Sequence, residues 1–476
     1  MKWPCMTGTI LAALFGLTAF PALTLAKAGT PAVIHRVPCP ATEVDSSTAI
    51  QAALEAAGVG EIVTLDAGTY YLANPVWVRT PFNGAIRGAG KDRTFIKVLP
   101  GARIGGVPIS ILFPDNHYSG ASLSTLFYFD IPMGQTGDIT ASDFSLLVTD
   151  PAPGGGTGDE DWFNGALFSM VVVTGETVNT AFERLHLSAS TNNAANVLDH
   201  GFNVRYGILV AGRGLYWPPD NAFGAPMTGT HKLAQVDLEN MTFGYDNRSQ
   251  KDSVIKVEGN GFTNVAAGPL IQDQENSQVA ITSNKLQAWA MAAAYIIQGN
   301  GGWWPFRTST YVLEHNDIRA TEWADGIAIC DYAFLSDGWI KVATEVSHNT
   351  LSLDTNYGGI YLGGVQGAVV ANNKVSGQGL AGIYAAPWGW DLVGKGIFKA
   401  NQVNQLAASV APIWLGSGSS SCYVIGGNAS ANVLDEGTGN VLTGVNRVPG
   451  QPVGPAVSDA MKRRSDMLKL TRGPKR

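Results

Sequence analysis

The sequence predicts an all-β chain whose short strands stack in parallel and wind into a coil. Three observations carry this. The tripeptide Gly359-Ile360-Tyr361 returns as Gly382-Ile383-Tyr384, 23 residues on, with Val369-Val370-Ala371-Asn372-Asn373 between. An Asn recurs as Asn284, Asn316, Asn349, Asn373 and Asn401, at gaps of 32, 33, 24 and 28 residues. The chain carries 57 Gly and only 14% charged residues in 476, a composition for strands and turns rather than helices. Repeats of this size indicate stacked supersecondary units. The segments between markers alternate with period two and turn at Gly or Asn, so the units are strands.

Residues 1–26 read as an export signal: Lys2 gives the positive start, Ile10–Phe20 the apolar run, and Thr24-Leu25-Ala26 the small cleavage site. That run is shorter than the ~20 apolar residues of a membrane span. A mature chain from Lys27, outside the cytoplasm and with no membrane span, is expected. An N-terminal segment, 27–60, follows. Ser47-Thr48-Ala49-Ile50-Gln51-Ala52-Ala53-Leu54 forms a short helix, with Asp45 or Ser46 as N-cap and Ile50 and Leu54 on one face. A coil of sheets needs such a lid over its open end. Strands begin with Ile62-Val63-Thr64-Leu65 and Gly68-Thr69-Tyr70-Tyr71-Leu72, and the coil runs over 61–447. Between 100 and 255 the pattern is interrupted by long excursions. The basic tail, 448–476, with Lys462-Arg463-Arg464, reads as a solvated end.

In the repeats, Ile327, Ile360, Ile383 and Ile413 point inward, and Ala328, Tyr361, Tyr384 and Trp414 follow them on the outer face. Asn suits the corners because it tolerates left-handed torsions, and its amide can bond the Asn one winding above. His315 and His348 each precede a ladder Asn; parity turns them to the corner rather than to solvent, as a polar stack more than an acid–base pair.

These residues together resemble the pectin-lyase-like superfamily of right-handed parallel β-helices. The resemblance covers most of 45–445, and it implies the fold more strongly than any one activity, since this fold hosts lyases, hydrolases, esterases, epimerases and phage spikes. The Asn-Thr-Asp, Asp-Asp and Gly-His-Gly set of polygalacturonases and the Asp-Pro-His of mannuronan epimerases are missing from the sequence. The expectation is therefore a secreted polysaccharide-active enzyme, a glycoside hydrolase or a polysaccharide lyase. The alternative is a non-catalytic glycan-binding or adhesion β-helix; a trimeric spike is a third reading.

Candidate site residues lie on the outer positions and the loops after them. Tyr361, Tyr384 and Trp414 in register offer ring faces to an extended glycan, or form a covered ladder that steadies the sheet. Trp303, Trp304, Arg307, Lys341, Trp388 and Trp390 sit in the adjoining loops. Asp325, Asp331 and Asp337 are the candidate catalytic carboxylates, since glycoside hydrolysis needs an acid and a carboxylate within reach of one bond. Lyase chemistry would use a base and a cation, for which Arg307 and Lys341 are nearest. Asp150, Asp159, Glu160 and Asp161 offer oxygens to Ca2+, with a solvated acidic loop as the competing reading. No other cofactor or metal is expected. The charge of −7 argues against a nucleic-acid surface. Cys39, Cys330 and Cys422 allow one disulfide at most.

Overall fold

A computed structural model describes residues 33–102, 104–108, 122–148, 168–190, 204–212, 226–298, 309–331, 340–341, 343–386, 392–427 and 432–448. The chain falls into two units, Met1–Val33 and Ile34–Arg476. The export-signal segment, the proposed Ca2+ loop and the tail beyond 448 lie outside the described residues. No helix among those described is long and apolar enough to cross a membrane.

The second unit is the right-handed parallel β-helix that the resemblance implied, and the described residues are 66% strand and 3% helical. Among the described residues, one 14-stranded sheet follows chain order from Ile34–Val37 and Ile62–Leu65 up to Tyr423–Ile425 and Val441–Thr443. Every pairing within it is parallel, as when Val346 sits beside Val370 and Val370 beside Phe398. The coil thus begins at Ile34, ahead of the helix rather than at 61. A 20-stranded sheet holds the other two faces of each winding, and a 4-stranded ribbon from Ile340–Lys341 to Ser419–Ser420 closes the last ones. The one antiparallel pair among the described strands is Gly106–Pro108 with Ser122–Asp130.

The helix spans Ser47–Ala56 and buries Ile50 and Leu54 in the core. Ser46 is the N-cap but makes no side-chain cap bond. Asp45 does the capping from one residue earlier, accepting from the Ser47 amide at 3.0 Å and the Ala73 amide at 2.9 Å. Burial pushes its carboxyl up, and the bonds from Ser47, Ala73 and Asn74 outweigh that and hold it below the usual range.

An asparagine ladder fixes the corner between the first sheet and the second stack of strands. Asn260, Asn284, Asn316, Asn349, Asn373 and Asn401 are buried one above another. Each Nδ2 donates to the next Oδ1, at 2.9 Å from Asn284 to Asn316 and 2.9 Å from Asn316 to Asn349. Each also donates to a main-chain carbonyl across the corner, Asn316 to Ile281 at 2.9 Å. The left-handed torsions fall one residue earlier than expected, at Ser283, His315, His348, Asn372 and Ala400. The Asn is there for its bonds, not for its backbone. A second correction concerns His315 and His348: their rings stack at 5.1 Å, as a polar stack should, but they are exposed to solvent.

The repeated Gly-Ile-Tyr has a steric cause. At the corner between the second and third stacks, Gly207, Gly244, Gly268, Gly326, Gly359 and Gly382 follow one another up the coil, with Ala293 between Gly268 and Gly326. A Cβ on Gly359 would lie 2.3 Å from the Gly382 carbonyl oxygen, and one on Gly326 2.7 Å from that of Gly359. At Gly326 and Gly359 the windings approach too closely for a side chain. Gly359→Ala should therefore shift the backbone and cost about 2 kcal/mol, read as a lowered denaturant midpoint. A midpoint unchanged within error would refute the close approach.

Ile327, Ile360, Ile383 and Ile413 stand in register and fill the interior. Ala328, Tyr361, Tyr384 and Trp414 stand in register on the opposite side of the same strands, in a separate apolar cluster.

Candidate functional site

The outward side of the third stack runs the length of the coil, and its columns can be read from the pairings. One column passes through Trp77, Tyr128, Val172, Leu209, Asp246, Leu270, Tyr295, Ala328, Tyr361, Tyr384 and Trp414. Beside it Asp130, Thr174, Ala211, Arg248 and Gln272 form a second. Thr125, Ser169, Tyr206, Phe243, Ala267, Ala292 and Asp325 form a third.

The upper part of this face is sealed. Tyr361, Tyr384 and Trp414 are 1%, 0% and 1% exposed, so their rings do not lie open to solvent. This corrects the expectation of an open strip; the covered ladder is what the geometry shows. Tyr361 and Tyr384 pack at 4.9 Å between ring centres, and the Trp414 indole donates to Glu436 at 2.9 Å. Asp325 faces outward, as parity required, but is 1% exposed. It accepts from the Gly358 amide at 3.1 Å and from the Tyr384 hydroxyl, which reaches down two windings. Asp331 ends the strand Asp325–Asp331, and Lys341 lies in Ile340–Lys341; their side chains are outside the described part. Trp303, Trp304, Arg307, Asp337, Trp388 and Trp390 lie outside the described residues altogether.

The middle of the face holds a polar set that the sequence reading did not single out. Asp246 is completely buried, and Arg248 grips it, with Nε 2.9 Å from Oδ1. The Gln272 amide donates to both carboxylate oxygens at 3.2 and 3.3 Å. Tyr206, half buried, stacks on Phe243 at 5.2 Å. Arg248 lies 5.6 Å from the Tyr206 ring centre and Arg205 5.2 Å from that of Phe243. The available signal was the segment Tyr245-Asp246-Asn247-Arg248, in which opposite charges occupy alternate positions and so one side of a strand.

A third set lies toward the N-terminal end. Trp77 stacks on Tyr128 at 6.0 Å, and the Arg79 guanidinium lies 3.7 Å over the Trp77 ring. The Tyr128 hydroxyl meets Thr174 at 3.0 Å, and Thr174 donates to Asp130 at 3.3 Å. All three described cation–π pairs, Arg79 on Trp77, Arg205 on Phe243 and Arg248 on Tyr206, thus fall on this one face.

Spacing limits the chemistry. Asp246 and Asp325 are three windings apart through Leu270 and Tyr295, about 14 Å at ~4.8 Å per strand. Paired carboxylates of a glycosidase stand about 5–10 Å apart, so these two cannot work together on one bond. No group of three or more metal-ligating side chains gathers among the described residues. No disulfide joins Cys39, Cys330 and Cys422.

No protein-family model matches the chain, and no curated protein matches it. Several solved structures align with it along most of their length. A mannuronan C-5 epimerase A-module of Azotobacter vinelandii is 12% identical with a TM-score of 0.37, over 86% of this chain and 96% of that one. A family 28 exopolygalacturonase of Yersinia enterocolitica is 12% identical with a TM-score of 0.42, over 89% and 79%. A surface adhesin of Streptococcus pneumoniae is 14% identical with a TM-score of 0.37, over 82% and 90%. The β-helix itself rests on the strand pairings.

Proposed function

We propose that the protein works outside the cytoplasm as a polysaccharide-active enzyme, a hydrolase or a lyase, and holds an extended glycan along the outward side of the third stack. The observation that carries this reading is the alignment of half-buried aromatic rings, guanidinium groups and fixed carboxylates on one straight face of a rigid coil. Sugar rings present apolar C–H surfaces to aromatics and hydroxyls to charged groups, and an elongated face suits an elongated ligand. Asp331, which ends a strand of that face, and Asp337 in the segment after it are the proposed acid and base. Arg307 and Lys341 are proposed to steady a uronate carboxyl if the reaction is elimination. Trp303, Trp304, Trp388 and Trp390 are proposed to border the ligand. Any role for Ca2+ through the 150–161 segment belongs to this reading as well.

Adhesion without turnover is the alternative; the burial of Tyr361, Tyr384 and Trp414, and the hydrogen bonds that Asp325 accepts from Gly358 and Tyr384, give the upper end of the face a structural part in either reading. Asp325→Asn, Asp331→Asn and Asp337→Asn separate the two on a panel of polysaccharides, followed by reducing ends and by the absorbance of unsaturated products. Loss of a general acid or base should slow turnover ~100-fold or more for Asp331→Asn or Asp337→Asn with binding kept. Asp325→Asn should act on stability first. Binding without turnover on every polymer would leave the adhesion reading in its place.

A further inference from the structure

We infer that Arg79 and Trp77 form a separate subsite, at the N-terminal end of this face, for an anionic substituent on the glycan, a carboxylate or a sulfate half-ester. The inference rests on the polysaccharide reading and adds the charge of the ligand and the place where it is read. Val76–Val78 alternates inward Val76 and Val78 with outward Trp77, and Arg79 continues that alternation. Gln51 of the capping helix accepts from the Trp77 main-chain amide at 3.1 Å, which ties this strand to the lid.

Two features mark the place as a site rather than a packing detail. Arg248 spends its charge on Asp246, but Arg79 is exposed and has no carboxylate partner among the described residues. Asp130 is its nearest register neighbour, since Val78 pairs with Phe129, yet the guanidinium lies on the indole instead. A guanidinium flat on a ring keeps its edge N–H groups free for a planar oxyanion. The second feature is the Trp77 indole Nε1, which is buried with no hydrogen-bond partner. A buried donor left unmade is costly and calls for an acceptor. An oxyanion beside Arg79 supplies one, so both orphaned donors would be answered by a single ligand group.

The subsite stands four windings below Asp246, through Tyr128, Val172 and Leu209, about 19 Å at ~4.8 Å per strand. It therefore reads a part of the ligand far from the central Asp246 set, and short oligosaccharides should not reach both.

Affinity electrophoresis of the full chain through gels holding polygalacturonate, κ-carrageenan or dextran tests this. Retardation by polygalacturonate or κ-carrageenan is expected, and the stronger of the two names the oxyanion. Arg79→Ala should weaken that binding about tenfold and leave mobility in dextran unchanged. Trp77→Phe, which keeps a ring and removes the N–H, should weaken it about fivefold, and Arg79→Lys should recover part of the loss. If Arg79→Ala binds the acidic polymer as well as the parent, or weakens dextran binding equally, the subsite is wrong while the polysaccharide reading stands. Retardation by dextran alone has the same meaning. If no polymer retards the parent protein, both fall.

Discussion

Alanine at Asn316 is expected to lower stability by about 4 kcal/mol, more than any other single substitution considered for this fold. The side chain makes bonds in three directions. Its Oδ1 accepts from the Asn284 main-chain N at 3.0 Å and from Asn284 Nδ2 at 2.9 Å. Its Nδ2 donates to Ile281 O and to Asn349 Oδ1, both at 2.9 Å. Removing it strands two donors on Asn284 and a carbonyl on Ile281 in a place without access to water. Each such loss costs about 1–3 kcal/mol, and neighbours in one network do not add fully, so about 4 is the expected total. Leucine would fare no better, because it fills the volume without making a bond. The exposed neighbour His315 is the control: His315→Ala should change stability by less than about 1 kcal/mol. Urea midpoints of the two variants settle the matter. A loss below about 1 kcal/mol at Asn316 would mean that the ladder is ornamental to stability.

The second large effect is a loss of stability in acid through His231. This imidazole is fully buried on the inward side of the first sheet, between Thr180 at 3.1 Å and Gln250 at 3.0 Å. Burial pushes its pKa down to about 4, against a weaker upward pull from the Gln250 bond. The unfolded chain takes up the proton near the ordinary value of ~6.5, and the folded chain refuses it until about 4. Between these values the unfolded state holds more protons, so stability rises with pH and falls as the solution is acidified. The contribution is fully present above ~6.5 and about 3 kcal/mol of it is gone by pH 4, at 1.36 kcal/mol per unit. Asp143 and Glu183 are held low chiefly by hydrogen bonds from Arg184 and Lys232, so they also lose stability in acid. A subtraction isolates the imidazole: the parent should lose about 3 kcal/mol more than His231→Gln between pH 7.5 and pH 4. Parallel stability curves for the two proteins would exclude a neutral buried His231.

Much of the fold is legible in the sequence because the coil repeats its physical demands at each winding. The Ile marker recurs because the interior needs an apolar residue at the same height each time, and the Asn marker because each corner leaves the same main-chain groups unpaired. The ladder nonetheless starts one winding earlier than the markers showed, at Asn260, where Val236 holds the position below and gives only its amide to Asn260 Oδ1, at 2.9 Å. A valine there hides the repeat from any search for Asn. The left-handed torsion before the ladder is met by Ser, His, Asn, Ala and Gly in turn, so no residue type announces it.

The candidate site was less legible. Parity tells which face of a strand a side chain takes, and it placed Tyr361, Tyr384, Trp414 and Asp325 correctly on the outer one. It does not tell what lies above that face, and their burial followed from tertiary packing that no local pattern encodes. Asp246 and Arg248 escaped notice for the opposite reason. Their partners come from neighbouring windings, Gln272 from 26 residues on and Tyr206 from the winding below, and the charges look like ordinary surface residues until those are brought together.

The parallel stacking has a consequence for ligand length. A chain built this way is graduated: intervals along its outer side change only by whole turns, in steps of ~4.8 Å. Excising the 24 residues from Asn349 to Asn372 removes one graduation, since Asn349 and Asn373 are equivalent places in successive turns. The same operation between Tyr128 and Asp246 would shorten the separation of Arg79 from the central carboxylate by one such increment. Preference for polymer length should then move in discrete jumps rather than drift.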